Sequence, residues 1–135
     1  MFVCSNTISP LRAKQKDALS LAFVGDGVHT LFAREYVCGL GDFSSHVLHQ
    51  KCSFICNAYS QGRALEKIWQ TLDENEIEIA KRARNHKLGH TPKNADLAAY
   101  KNATAYEALV GYFYLTGQTQ KLDACLAASI AEKEN

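Results

Sequence analysis

Leu19-Ser-Leu-Ala-Phe-Val-Gly-Asp-Gly-Val-His-Thr-Leu-Phe32 is apolar on nearly every side up to Val24, sets one carboxylate, Asp26, between two glycines, and resumes an apolar pattern through Val28, Leu31 and Phe32. The pattern predicts a helix in which Asp26 is buried. An ionised carboxylate withdrawn from water costs several kcal/mol unless a cation or metal compensates it, and glycine inside a helix costs roughly 1 kcal/mol against alanine. Gly25 and Gly27 would let a second backbone or a ligand approach, and Asp26 would supply the charge that ligand needs. The bland alternative is a tight Gly-Asp-Gly turn closing a short buried segment.

A second carboxylate weighs against that alternative. In Asn102-Ala-Thr-Ala-Tyr-Glu-Ala-Leu-Val-Gly-Tyr112, Glu107 has Tyr100, Ala103, Thr104, Gly111 and Tyr114 as its neighbours at helical spacing. Two isolated acids thus occupy two otherwise apolar helices. If these helices cross at Gly25, Gly27 and Gly111, both carboxylates can reach one hard divalent cation such as Mg²⁺. Otherwise each is satisfied separately, by a buried arginine or by backbone donors.

Working outward, the chain reads as all-α. It has only two prolines, no hairpin dipeptide between alternating strands, and several long stretches of helical spacing. The first helix starts near Asp17 and runs to about Cys38, where Gly39-Leu-Gly41 ends it. A second begins after Asp42 or Ser44 and continues through Ile55, with Gln61-Gly62 as a bend or boundary before the apolar face of Ala64, Leu65, Ile68 and Leu72. Asp73 to Glu78 followed by Lys81 to Lys87 is the charge order a helix dipole favours. Asn85 to Asn94 reads as a surface loop, Asp96 or Asn94 caps a helix from Leu97 to about Leu115 stopped by Gly117, and a last amphipathic helix carries Leu122, Cys125, Leu126 and Ile130. At 135 residues this is one domain, 1–135, with residues 1–16 as a partly ordered N-terminal extension.

Composition narrows the function classes. Hydrophobic residues make up 47% and charged residues 21%, a globular balance, and no apolar run approaches the ~18 residues of a membrane span. With no secretory pattern at Met1 to Pro10, a cytoplasmic location is expected and a membrane partner is not. The five cysteines are odd in number and scattered, which suits reduced thiols. Cys52 and Cys56 with His46 and His49 suggest zinc, but one helix spreads four such residues over roughly 15 Å, too far for a single ion. The net charge of +1 hides an asymmetry, because Lys81, Arg82, Arg84, Lys87 and Lys93 follow one another with no carboxylate between them. That segment is a candidate anion-binding surface.

Leu21 to Val28, Leu-Ala-Phe-Val-Gly-Asp-Gly-Val, resembles the signature helix of ribonuclease III domains, and Thr104 to Gly111, Thr-Ala-Tyr-Glu-Ala-Leu-Val-Gly, resembles their second acidic helix. Arg82-Ala-Arg-Asn85 and Thr91-Pro-Lys-Asn94-Ala-Asp96 resemble the basic segment of the Mini-ribonuclease III form, which has no separate RNA-binding domain. The resemblance runs from about Asp17 to Ile130. It implies that Asp26 and Glu107 are the catalytic, metal-binding acids. Larger members have further acids where this chain has Leu19, Ala22 and Thr104, so a reduced ligand set is expected. It also implies an all-α homodimer that cuts each strand of double-stranded RNA with Mg²⁺, or Mn²⁺ in its place, leaving 5′-phosphate ends, in maturation of large-subunit (23S) ribosomal RNA precursors. A ribosomal protein is a further candidate partner. Duplex RNA offers its backbone more readily than its bases. Arg82, Arg84, Asn85, Lys93 and Asn94 are the candidates for holding it, with His49 and Lys51 beside them. The alternative is a non-catalytic double-stranded-RNA-binding or ribosome-associated protein on the same fold, which has no chemical need for both acids.

Overall fold

The computed structural model describes residues 7–86 and 96–130. Among them every regular element is helical: α1 (Pro10–Lys14), α2 (Ala18–Gly39), α3 (Ser45–Cys56), α4 (Ala58–Ile68) running into a 3₁₀ turn (Trp69–Thr71), α5 (Glu74–Arg84), α6 (Leu97–Leu115) and α7 (Thr119–Ile130). No helix among the described residues is long and apolar enough to cross a membrane.

Local chemistry sets most of the boundaries. The Asp17 and Asp96 side chains accept from the first-turn N–H groups of α2 and α6. α6 ends where Gly117 adopts φ +68°, and the amides of Gln118 and Gly117 donate back to the carbonyls of Phe113 and Tyr114. This is the double bond pattern of a glycine-closed helix. At α5, Asp73 and Glu76 each accept from the other's backbone N–H at 2.8 and 3.0 Å, a reciprocal cap. Glu76 is buried there against Lys121 Nζ of α7 at 2.5 Å, so one acid of the Asp73 to Glu78 run is no surface charge.

Two boundaries differ from the sequence reading. Gln61 and Gly62 lie inside α4, and the chain breaks earlier, at Asn57. Asn57 explains the break, because its side chain accepts from Ser60 N–H while its amide donates to the carbonyls of Ser53 and Phe54, closing α3 and opening α4 together. The short helix α1 falls in the stretch expected to be partly ordered. Ala13 packs it into the core, and Ile8 N–H donates to Leu115 O at 2.8 Å.

α6 is apolar around its whole circumference from Ala105 to Phe113 except at Glu107, which suits a helix surrounded by others. It packs most extensively on α2, and α4, α5 and α7 complete its surround. Leu21, Leu65, Ile79, Tyr106, Leu109 and Phe113 fill the main core. A smaller cluster of Ala33, Val37 and Ile55 seats α3 on the C-terminal half of α2.

Candidate functional site

The site is made where α2 crosses α6. A Cβ at Gly25 would overlap the Glu107 carbonyl and lie 2.9 Å from Gly111 N, and one at Gly111 would overlap the Leu21 carbonyl. The two backbones meet at these glycines. Gly27, expected at the same crossing, has no atom within 4 Å of where its Cβ would lie, because it faces away from α6. The sequence did not separate the two roles, since both glycines flank the same aspartate.

This crossing brings Asp26 and Glu107 into hydrogen-bonding contact through their side chains. Their burial is unequal. Asp26 is exposed, not buried as its apolar neighbours suggest, because it sits on the flank of α2 that α6 leaves open; Glu107 is half-buried. Burial, then the bond to Asp26 and its negative charge, push the Glu107 carboxyl up to about 8, while a hydrogen bond from Gln61 pulls the other way. At neutral pH, without a cation, the Glu107 carboxyl therefore keeps a proton. Among the described residues no buried arginine neutralises the pair.

Beneath the pair runs a buried polar clamp. His29, one turn beyond Asp26 and 1% exposed, has Nδ1 3.1 Å from Tyr106 Oη and Nε2 3.3 Å from the Ile55 carbonyl. Because a carbonyl only accepts, Nε2 carries the hydrogen and Nδ1 faces the Tyr106 hydroxyl, which is also 3.1 Å from the Cys125 carbonyl. Burial holds the imidazole below its ordinary range, against opposing effects of Ile55 and Asp26. The clamp joins α2, α3, α6 and α7 immediately beside the two acids. Cys56 borders the same site. Burial pushes its thiol up to about 11, with Cys52, Asp26 and Glu107 adding to the effect and Arg34 opposing it.

The expected RNA-holding residues are distributed differently. Arg82 turns inward, its guanidinium donating to the Lys14 carbonyl at 2.9 Å and towards that of Lys16 at 3.5 Å, which ties α5 to the end of α1. Arg84 lies over the Trp69 ring at 5.6 Å, and Asn85 ends α5 with its N–H on the Lys81 carbonyl. His49 is exposed on α3, and Lys51 lies over the Phe43 ring at 4.7 Å. Lys93 and Asn94 lie outside the described residues. Sequence reasoning missed Gln61, His29 and Tyr106. For Gln61 a signal existed: it shares a helical face with Ala64, Leu65 and Ile68, where an amide is out of place.

Two carboxylates with few other protein ligands fit a hard cation such as Mg²⁺, which keeps several of its own waters and would balance their negative charge. No group of three or more His, Cys, Asp or Glu that could hold a metal is present among the described residues.

A family model described as Ribonuclease III domain matches residues 19–118. The chain is 38% identical to the Mini-ribonuclease 3 of Desulfitobacterium hafniense (strain Y51) over 84% of its own length and 71% of that protein's. It is 33% identical to the Mini-ribonuclease 3-like protein of Ilyobacter polytropus, covering 90% and 94%. The crystal structure of protein FN1578 from Fusobacterium nucleatum matches 93% of this chain and 99% of that one, at 30% identity and a TM-score of 0.80. With its acid pair at the glycine crossing of α2 and α6, the chain belongs to the ribonuclease III family, among its Mini-ribonuclease 3 proteins, and is an endoribonuclease.

Proposed function

We propose that this endoribonuclease hydrolyses double-stranded RNA at the Asp26–Glu107 pair with Mg²⁺, or Mn²⁺ in its place, and that its substrate is the precursor of large-subunit (23S) ribosomal RNA. The observation that carries the reading is the convergence of two carboxyl groups from separate helices, where burial and the neighbouring Asp26 push the Glu107 carboxyl up. A divalent cation held there would lower the pKa of a bound water, making hydroxide available as the nucleophile, and would offset charge developing on the phosphate. Asp26 and Glu107 would hold that cation, and exposed Asp26 presents its carboxylate where a phosphate can approach. The His29–Tyr106 clamp and the glycine contact fix the spacing of the two acids. Arg84, Asn85, Lys93, Asn94, His49 and Lys51 would track the RNA backbone; Arg82 would act through the α1–α5 joint.

The working unit is a homodimer. Support comes from α2 itself, where Phe23 is 81% exposed one turn before Asp26 and Leu31 is 48% exposed on the same side as open Gly27. An apolar stripe of this kind beside a charged site marks an interaction surface. Cys38, Cys52, Cys56 and Cys125 are free thiols, which supports a reducing, cytoplasmic setting. A ribosomal protein that presents the precursor would be a further partner.

The test is incubation of the purified chain with long double-stranded RNA and Mg²⁺, beside EDTA, single-stranded RNA, and the Asp26→Asn and Glu107→Gln variants. Discrete duplex-dependent products that vanish with EDTA and with either variant are expected. Binding of the duplex without cleavage, over a range of salt and in both Mg²⁺ and Mn²⁺, would transfer the function to RNA binding alone.

A further inference from the structure

Gln61 is 4% exposed, on a face of α4 otherwise lined by small and apolar side chains that packs on α6. An amide taken out of water loses free energy unless it finds hydrogen-bond partners. Gln61 finds the Glu107 side chain. The start of α4 is held stiffly at this point. Asn57 caps its first turn, and Ser60 Oγ donates to the Phe54 carbonyl at 2.6 Å. The adjacent Gly62 brings α4 close to α6, since a Cβ there would already touch Asn102 Cβ at 3.5 Å.

We propose that Gln61 is a positioning residue of the hydrolytic site: its amide, fixed by the rigid start of α4, donates to one oxygen of Glu107 and so keeps the other oxygen turned towards Asp26. An amide suits this place for two reasons. It donates to the carboxyl in either protonation state, and it brings no charge to compete with a cation at the pair. A glutamate there would repel Glu107, and a leucine would leave its carboxyl free to rotate. The inference rests on the proposed role of Asp26 and Glu107, and extends it to a third helix.

Groups that orient metal ligands typically change metal affinity or activity by about 10- to 100-fold when removed. Gln61→Leu and Gln61→Ala are each expected to lower kcat on duplex RNA by that factor, with KM within about twofold of wild type. The same variants should bind Mn²⁺ about tenfold more weakly in the absence of RNA, measured from the electron paramagnetic resonance signal of the free ion. In the unsubstituted protein, the Gln61 side-chain amide signal in a ¹H–¹⁵N spectrum should shift on titration with Mg²⁺ and stay still in Glu107→Gln, a readout independent of whether any Gln61 variant folds. A Gln61 signal indifferent to saturating Mg²⁺ overturns the inference, as does a folded variant with wild-type kcat and Mn²⁺ affinity. Full cleavage by Asp26→Asn and Glu107→Gln would instead overturn the reading of the site itself, and the inference with it.

Discussion

Gly25 and Glu107 touch backbone to backbone: a methyl group on the first would overlap the carbonyl oxygen of the second. Gly25→Ala and Gly111→Ala must therefore push α2 and α6 apart at the acid pair. Both are expected to destabilise the chain by about 1–3 kcal/mol or more, as overpacking against rigid backbone does, and to abolish cleavage. Gly27→Ala meets no atom within 4 Å and should be neutral to slightly stabilising for the subunit, through its better helix propensity. Urea unfolding of the three variants checks this, and equal destabilisation by all three would contradict the crossing.

Removing the Glu107 charge should change how stability depends on pH. The folded carboxyl titrates near 8 against an ordinary 4.5, chiefly through burial, so the native state keeps a proton that the unfolded chain has released in that window. The associated stability is complete below about pH 4.5 and is lost as pH rises towards 8. In EDTA, the thermal midpoint of wild type should fall relative to Glu107→Gln between pH 5 and 8.5, and Mg²⁺ should recover part of the loss at the alkaline end. Parallel curves for the two proteins would count against the raised carboxyl.

Either end of the buried clamp leaves its partner unsatisfied when cut. Tyr106→Phe removes the single hydroxyl proton available to the Cys125 carbonyl and His29 Nδ1, and His29→Phe removes the N–H facing the Ile55 carbonyl. Each is expected to lose about 1–3 kcal/mol in chemical denaturation. The double variant should lose less than the sum, because both changes break one contact.

Phe23 is so exposed that Phe23→Ser should leave the thermal midpoint of an isolated subunit nearly unchanged. Its expected effect is on association: light scattering at micromolar concentration should show wild type as a dimer and the variant shifted towards monomer. A wild-type chain that is monomeric there would remove the homodimer reading.

Arg82→Ala separates two uses of one cation. Because the guanidinium holds the Lys14 carbonyl, the substitution should lower the thermal midpoint by several degrees, whereas Lys51→Ala should leave it almost unmoved. Salt-dependent RNA-binding measurements on both would then show whether Arg82 contributes beyond the α1–α5 joint.

The helical class, the helix starts near Asp17 and Asp73, the cap offered by Asp96, the stop at Gly117 and the candidacy of Asp26 and Glu107 as a pair were legible from residue types and spacing, because these depend on local backbone chemistry or on an isolated acid standing out in an apolar helix. The break at Asn57 was legible in principle, since asparagine caps helices, but the glycine at 62 drew attention away from it. Tertiary structure alone decided which glycine touches α6 and which faces outward, that Asp26 is open while Glu107 takes the desolvation, that Arg82 turns inward, and that Gln61 and His29 reach the site from packed faces. Those outcomes depend on how α2, α4 and α6 rotate about their axes against one another. Helical periodicity assigns each residue a face but does not say which neighbouring helix that face will meet.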